Sequence, residues 1–290
     1  EHRAKRQRGI TLLNGTEAPN IAIVVPFTQH DLQKVVAAVD RWSRLGDPCP
    51  GQVSSLNVLF WFNRDLAREP WTTFAQVAEF SLTNALRPVR HCVSSIKFDS
   101  AKLSDKEDPY PFGASNMWYK LYVSEGDRDP LRTYDYFLWA EQDLMPVKTG
   151  WMDALATEVA THRPFFMRGS IYRGINLDNA VKDPEKANWV THINGNALYT
   201  CNDITFRAMV KSCYYAQTSQ GEHASFDLAI WMSFVSGYMH TWKSYQHYAH
   251  MFQYTAFMQN YGYGLPAGSL AQILEMEPST FMIHGDAESA

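Results

Sequence analysis

Apolar residues along this chain fall into two patterns that alternate: short uninterrupted runs, and stretches spaced at helical intervals. "NIAIVVPFTQ" (Asn20 to Gln29) is a continuous apolar run, as expected of a parallel strand buried on both faces. "DLQKVVAAVDRWSRL" follows at helical spacing, with Asp31 placed to cap it. "LNVLFWFN" predicts a second strand, "WTTFAQVAEFSLTNAL" a second helix, "HCVSSIKF" a third strand, "GASNMWYKLYVSEG" a third helix and "YDYFLWAE" the strand it delivers. This β-α-β-α-β order predicts a mostly parallel sheet flanked by helices, with ligand loops at the carboxyl ends of its strands.

Beyond Gly150 the pattern loosens. "WMDALATEVATH" predicts a helix, "FFMRGSIY" a strand, "THINGNALYTC" a turn entering a strand, and Phe226 to Tyr263 is aromatic-rich with helical spacing in places. No repeat, low-complexity segment or Gly/Ser linker divides the chain. The expectation is a polar leader over residues 1–19 and one domain over 20–290, with a nucleotide-type half (20–150) and an irregular half (151–290).

Composition narrows the field. With a net charge of -4, bulk electrostatics argues against a nucleic-acid partner. No run approaches the roughly 18 apolar residues of a membrane span, so membrane attachment is expected only through an anchor ahead of the residues given. Asn14-Gly15-Thr16 is a glycosylation sequon, usable if the chain passes through the secretory pathway. Cys49, Cys92, Cys201 and Cys213 permit two disulfides in three connectivities or four free thiols, and no CxxC pair signals structural zinc.

The chemistry gathers where the fourth strand ends. "YDYFLWAEQDLMP" finishes an apolar run on Glu141, Gln142 and Asp143, and carboxylates there are costly unless something positive meets them. Alternation along a strand aims Glu141 and Asp143 to one side, and a divalent cation would supply the charge. The plainer reading is a solvated strand terminus. At these residues the chain resembles a GT-A glycosyltransferase, a nucleotide-sugar-dependent enzyme whose D-x-D or E-x-D element ends a central strand and holds Mn²⁺ on the donor diphosphate. "AEQDLMP" is most similar to the E-D-D or E-E-D form of N-acetylglucosaminyltransferases of the N-glycan pathway, from which Gln142 departs.

The resemblance implies a GT-A fold, a single domain with an irregular acceptor half, and a set of roles. Asp143 would bind Mn²⁺ or Mg²⁺ directly, with Glu141 beside it or on the sugar or ribose. His284, delivered by "STFMIHGD", resembles the late histidine that completes the metal site. Pro26, Phe27 and Thr28 would open the nucleotide pocket. Asn63 and Arg64 of "WFNRD" would meet the base of a donor, expected to be a UDP-sugar, with Gln142 nearby. Lys120 would add a cation to the diphosphate, or lies solvated on its helix. Asn194, Gly195 and Asn196 would form an acceptor loop, or an Asn-Gly turn, and Trp231 would stack on an acceptor sugar of a glycan or glycoprotein. Asp227, or else Glu222, would act as base of an inverting transfer, unless Asp227 caps a helix or the transfer retains configuration. His247 and His250, three apart, lack a third ligand. A secretory-lumen location such as the Golgi is expected. Rival readings are a nucleotidyltransferase, for which a Gly-rich basic loop after the first strand is missing, and a non-catalytic sugar-binding module.

Overall fold

The computed structural model describes residues 18–51, 56–109, 112–174, 182, 190–220, 225–235, 247–262 and 269–285. Its strands are β1 (Ile21–Phe27), β2 (Leu56–Phe62), β3 (Val93–Ser100), β4 (Tyr136–Trp139), β5 (Leu144–Pro146), β6 (Met167–Gly169), β7 (Leu198–Thr200), β8 (Phe252–Tyr254), β9 (Met258–Gly262) and β10 (Met282–Gly285). The helices are α1 (Leu32–Asp40), α2 (Trp71–Ala85), α3 (Phe112–Val123), α4 (Trp151–His162), α5 (Ile204–Gln220), α6 (Phe226–Val235) and α7 (Ser269–Met276).

Seven strands form a mixed sheet in the order β3-β2-β1-β4-β7-β6-β8. β3, β2, β1 and β4 run parallel, β7 is antiparallel to both its neighbours, and β8 is parallel to β6. The parallel half follows from the alternating pattern: β1 is apolar throughout and β2 is apolar but for the buried Asn57, because helices cover both faces of the sheet. Ile21, Ile23 and Val25 pack with Val35 and Val39 of α1, Leu82 of α2 and Trp151 and Leu155 of α4. Ala22 and Val24 face the opposite layer, with Trp118 and Tyr122 of α3, Phe206 of α5 and Phe226 and Ile230 of α6. Trp118 stacks on Phe226 at 4.4 Å between centroids, which accounts for part of the aromatic surplus as core.

A smaller sheet, β5-β10-β9, continues from the end of β4. β10 lies antiparallel to β5 and parallel to β9, pairing His284 with Leu144 on one side and Asn260 on the other. The register shifts after His284, where Gly285 has a φ of 127°. A Cβ there would lie 2.8 Å from the Gly262 carbonyl oxygen, so the bulge demands glycine.

Several expectations change. Asp31 stands at the N-cap of α1 but makes no side-chain cap bond; its carboxylate instead accepts from Thr28 Oγ1 at 2.6 Å. In the aromatic-rich stretch from Phe226, the helical spacing belongs to α6, and Phe252 to Gly262 supplies β8 and β9, which complete the two sheets. Cys49 and Cys92 form a disulfide while Cys201 and Cys213 are free and buried, so the chain has neither two disulfides nor four free thiols. Asn14 and Glu222 lie outside the described residues. Among the described residues no helix is long and apolar enough to cross a membrane.

Candidate metal and donor site

The strand order makes a crevice where chain direction reverses. From β1 the chain moves by way of α1 to β2 and β3 on one side, then returns through α3 to β4 on the other, so the carboxyl ends of β1 and β4 border a topological switch point. Ligands of open α/β sheets bind in such crevices. Glu141, Gln142 and Asp143 follow β4 there, and Thr28 follows β1.

Asp143 meets His284 at this point. Pairing of β5 with β10 carries the imidazole to Asp143, with His284 Nε2 3.1 Å from Asp143 Oδ2 across 141 positions of sequence. Ligand atoms of Glu141, Asp143 and His284 all lie within 4.8 Å of one another. The Asp143 side chain is 50% exposed and that of His284 14%, so the cluster opens to solvent through the carboxylate.

Each member is held from behind. His284 Nδ1 lies 2.9 Å from Asn260 Oδ1, and the amide orientation is fixed because the Gly262 N–H also donates to that oxygen at 3.1 Å. A proton kept on Nδ1 leaves the Nε2 lone pair for a cation. Glu141 is clasped by Asn196: the Glu141 N–H donates to Asn196 Oδ1 at 2.9 Å, and Asn196 Nδ2 donates to Glu141 Oε2 at 3.1 Å. Trp139 Nε1 donates to Glu141 Oε1 at 3.2 Å.

Electrostatics agrees with a site waiting for positive charge. Burial, and then the Asp143 charge, push the Glu141 carboxyl above its usual range. Burial, the largest single effect, opposes charge on both Asp143 and His284, but their hydrogen bond and mutual charge together outweigh it, so Asp143 is held below the usual range and His284 above it. Two carboxylates and an imidazole are a donor set suited to Mn²⁺ or Mg²⁺ rather than to a soft ion, so the residues present fit a divalent cation. Asn260→Ala is expected to weaken Mn²⁺ binding by about 10- to 100-fold, read by titration calorimetry with circular dichroism checking the fold.

Other anticipated site residues are distributed unevenly. Phe27 is 3% exposed and its ring packs on Phe60 and Phe62, so its side chain belongs to the core rather than to a nucleotide pocket, while Pro26 and Thr28 are partly exposed. Asn63 Nδ2 donates to Asp108 Oδ1 at 2.7 Å, but its Oδ1 is buried without a partner among the described residues. Gln142 Oε1 is orphaned in the same sense. Such acceptors are costly unless a ligand donates to them. Arg64 is neutralised by Asp105 at 2.6 Å and Asp108 at 2.8 Å. Lys120 pairs with Glu107 at 2.8 Å, so it is neither solvated nor an unpaired cation for a diphosphate.

The Asn194 to Asn196 loop is a brace. Asn196 is committed to Glu141, Asn194 Oδ1 accepts the Asn196 N–H at 3.0 Å, and the buried Gly195 donates its N–H to Asp227 Oδ2 at 2.7 Å. Asp227 also lies 3.2 Å from His192 Nε2 and accepts the Leu228 N–H at 2.9 Å. Burial raises its pKa, yet these bonds, led by His192, bring it below the usual range. That is the wrong direction for a general base near neutral pH. Trp231 and Asp227 line a pocket of about 130 Å³ with Ile230, Phe252 and Tyr254. His247 and His250 are exposed and join no metal-capable group among the described residues.

Asn260, His192 and the Trp139 indole were not singled out from sequence. Asn260 matters through its register against His284, which no local pattern encodes.

No family model matches the chain, and no curated protein matches it. Three glycosyltransferases of known structure resemble it. Mouse xyloside xylosyltransferase 1 is 10% identical over 93% of this chain and 99% of its own, with a TM-score of 0.47. The galactosyltransferase LgtC, solved with donor and acceptor sugar analogs, is 11% identical over 92% of this chain and 87% of its own, TM-score 0.48. The mannosyltransferase Ktr4p from S. cerevisiae is 8% identical over 73% of this chain and 64% of its own, TM-score 0.46.

Proposed function

We propose that this protein is a GT-A glycosyltransferase that takes a sugar from a nucleotide donor, UDP-linked, and passes it to a glycan or glycoprotein acceptor with Mn²⁺ or Mg²⁺ at Asp143 and His284. The observation that carries the reading is the meeting of those two side chains at the switch point, with Glu141 beside them. Bound there, a divalent cation offsets the charge that gathers on a departing diphosphate. The chain's own part is to fix geometry: Asn260 keeps the imidazole turned outward, and Asn196 with Trp139 holds Glu141. The orphaned Asn63 Oδ1 and Gln142 Oε1 suit N–H and O–H donors of a base and a sugar. The aromatic pocket bordered by Trp231 and Tyr254 suits the apolar face of an acceptor sugar. A Cys49–Cys92 disulfide favours an oxidising compartment, in keeping with the secretory lumen and the Golgi.

On stereochemistry, the engagement of the Asp227 carboxylate by the Gly195 and Leu228 N–H groups and by His192 favours the retaining reading over an inverting one with Asp227 as base. In a retaining transfer a diphosphate oxygen of the leaving group takes the acceptor proton, and no protein base is required. NMR of the first-formed product checks this: the donor's anomeric configuration should be kept. An inverted product whose formation needs Glu222 would restore the other reading.

The function is tested by a donor screen. A UDP-sugar with Mn²⁺ should raise the Tm, because binding to the native state alone stabilises it, and release of UDP should then depend on an acceptor. Pyrophosphate release would identify a nucleotidyltransferase. A thermal shift without turnover on any acceptor or water would identify a binding module.

A further inference from the structure

A second group of metal-capable side chains lies outside the donor site. Asp47, Cys49, His91 and Cys92 each offer a ligand atom, and the four atoms lie within 4.8 Å of one another. His91 Nε2 is 3.1 Å from Asp47 Oδ1, and Cys92 Sγ is 3.4 Å from His91 Nε2 and 3.9 Å from Asp47 Oδ1. A tetrahedral zinc with bonds of about 2.0–2.3 Å requires ligand atoms about 3.3–3.8 Å apart. These three edges already have nearly that length. The exception is the pair of sulfurs, which are joined as a disulfide.

We propose that reduction of the Cys49–Cys92 disulfide turns this group into a zinc site, with Cys49 Sγ, Cys92 Sγ, His91 Nε2 and the Asp47 carboxylate as ligands. The reductant is a dithiol. It gives up two electrons and two protons as its own disulfide forms; the Cys49–Cys92 bond breaks to two thiols, and zinc displaces both thiol protons to water. Two thiolates and an imidazole select zinc over the harder Mn²⁺, so the two centres of this chain are sorted by donor softness. The Cys49 N–H donates to Asp47 Oδ1 at 3.0 Å, which holds that carboxylate oxygen beside His91 Nε2.

The position gives the exchange a structural role. The Asp47 carbonyl accepts from the Gly150 N–H at 3.0 Å and from Thr149 Oγ1 at 2.7 Å, and the Pro48 carbonyl accepts the Met152 N–H at 2.9 Å. The segment therefore anchors the start of α4, directly after the turn that follows β5. Zinc would replace the disulfide as the link that holds this anchor to His91 and Cys92.

The test uses the whole chain, oxidised or reduced with a dithiol under native conditions, desalted after exposure to zinc chloride and assayed for bound metal. Reduced protein should keep one more equivalent of zinc than oxidised protein, and cobalt in its place should give a thiolate charge-transfer band. His91→Ala and Asp47→Asn should each weaken the reduction-dependent binding by at least about tenfold. The Cys49→Ala/Cys92→Ala double variant should abolish it, which separates it from binding at Asp143 and His284. Equal zinc content in the two redox forms would overturn the proposal. So would a reduced chain that unfolds and is not restored by zinc, or a cobalt spectrum without thiolate character.

Discussion

Replacing Asp143 with Asn should abolish Mn²⁺-dependent donor binding and lower kcat/KM by at least about 10²-fold, close to 2.7 kcal/mol of transition-state stabilisation. The amide keeps the size of the side chain but removes the charge that a cation requires. It also removes the partner that keeps His284 above its ordinary pKa. The fold should survive, because the Asp143 side chain is half exposed and the β5–β10 pairing beside it is made by the backbone. Three measurements check this together: metal affinity by calorimetry, turnover with a UDP-sugar, and far-UV circular dichroism. Normal metal affinity in a folded variant would remove Asp143 from the site.

Asp227→Asn should behave in the opposite way, costing stability before it costs chemistry. Its carboxylate receives the Gly195 and Leu228 N–H groups and faces His192, so an amide sets a donor against donors in a buried position. Disturbing the hydrogen bonds of a buried carboxylate costs about 1–3 kcal/mol, here roughly 2 °C or more in Tm. The pH dependence has a definite sign. A carboxylate whose folded pKa lies below its ordinary value of 3.8 contributes stability that is full above that value and is lost as pH falls through the folded pKa. The wild type should therefore lose stability below about pH 3.8 along a slope that the variant lacks. An unchanged Tm with turnover lowered by about 10² to 10⁴ would return Asp227 to the role of base.

The parallel half of the fold is legible because β1, β2 and β4 carry apolar runs, broken only by Asn57, and each crossover a helical period; the edge strand β3, VSSIKFDS, alternates instead. Glu141 and Asp143 stood out for the same reason, as charges ending a buried run. What could not be read was register. Asn196 looked like an acceptor residue, since an amide suits a hydroxyl as well as a carboxylate, and its commitment to Glu141 is fixed by contacts across 55 positions. The resemblance puts Phe27 in a nucleotide pocket, whereas its ring packs on Phe60 and Phe62 of the neighbouring strand. Lys120 and Arg64 were cations of unknown partner, and Glu107, Asp105 and Asp108 arrive from a neighbouring loop.

The strand that carries His284 makes the meeting of Asp143 with His284 depend on a long-range pairing. β1 to β4 and their helices are assembled from contacts within the first half of the sequence, whereas β10 must wait for the chain to return across 141 positions to the side of Asp143. Long-range pairings of this kind carry the largest loop-closure cost and form slowly. Asp143 and Glu141 therefore come into place at the end of β4 before the imidazole that joins them does.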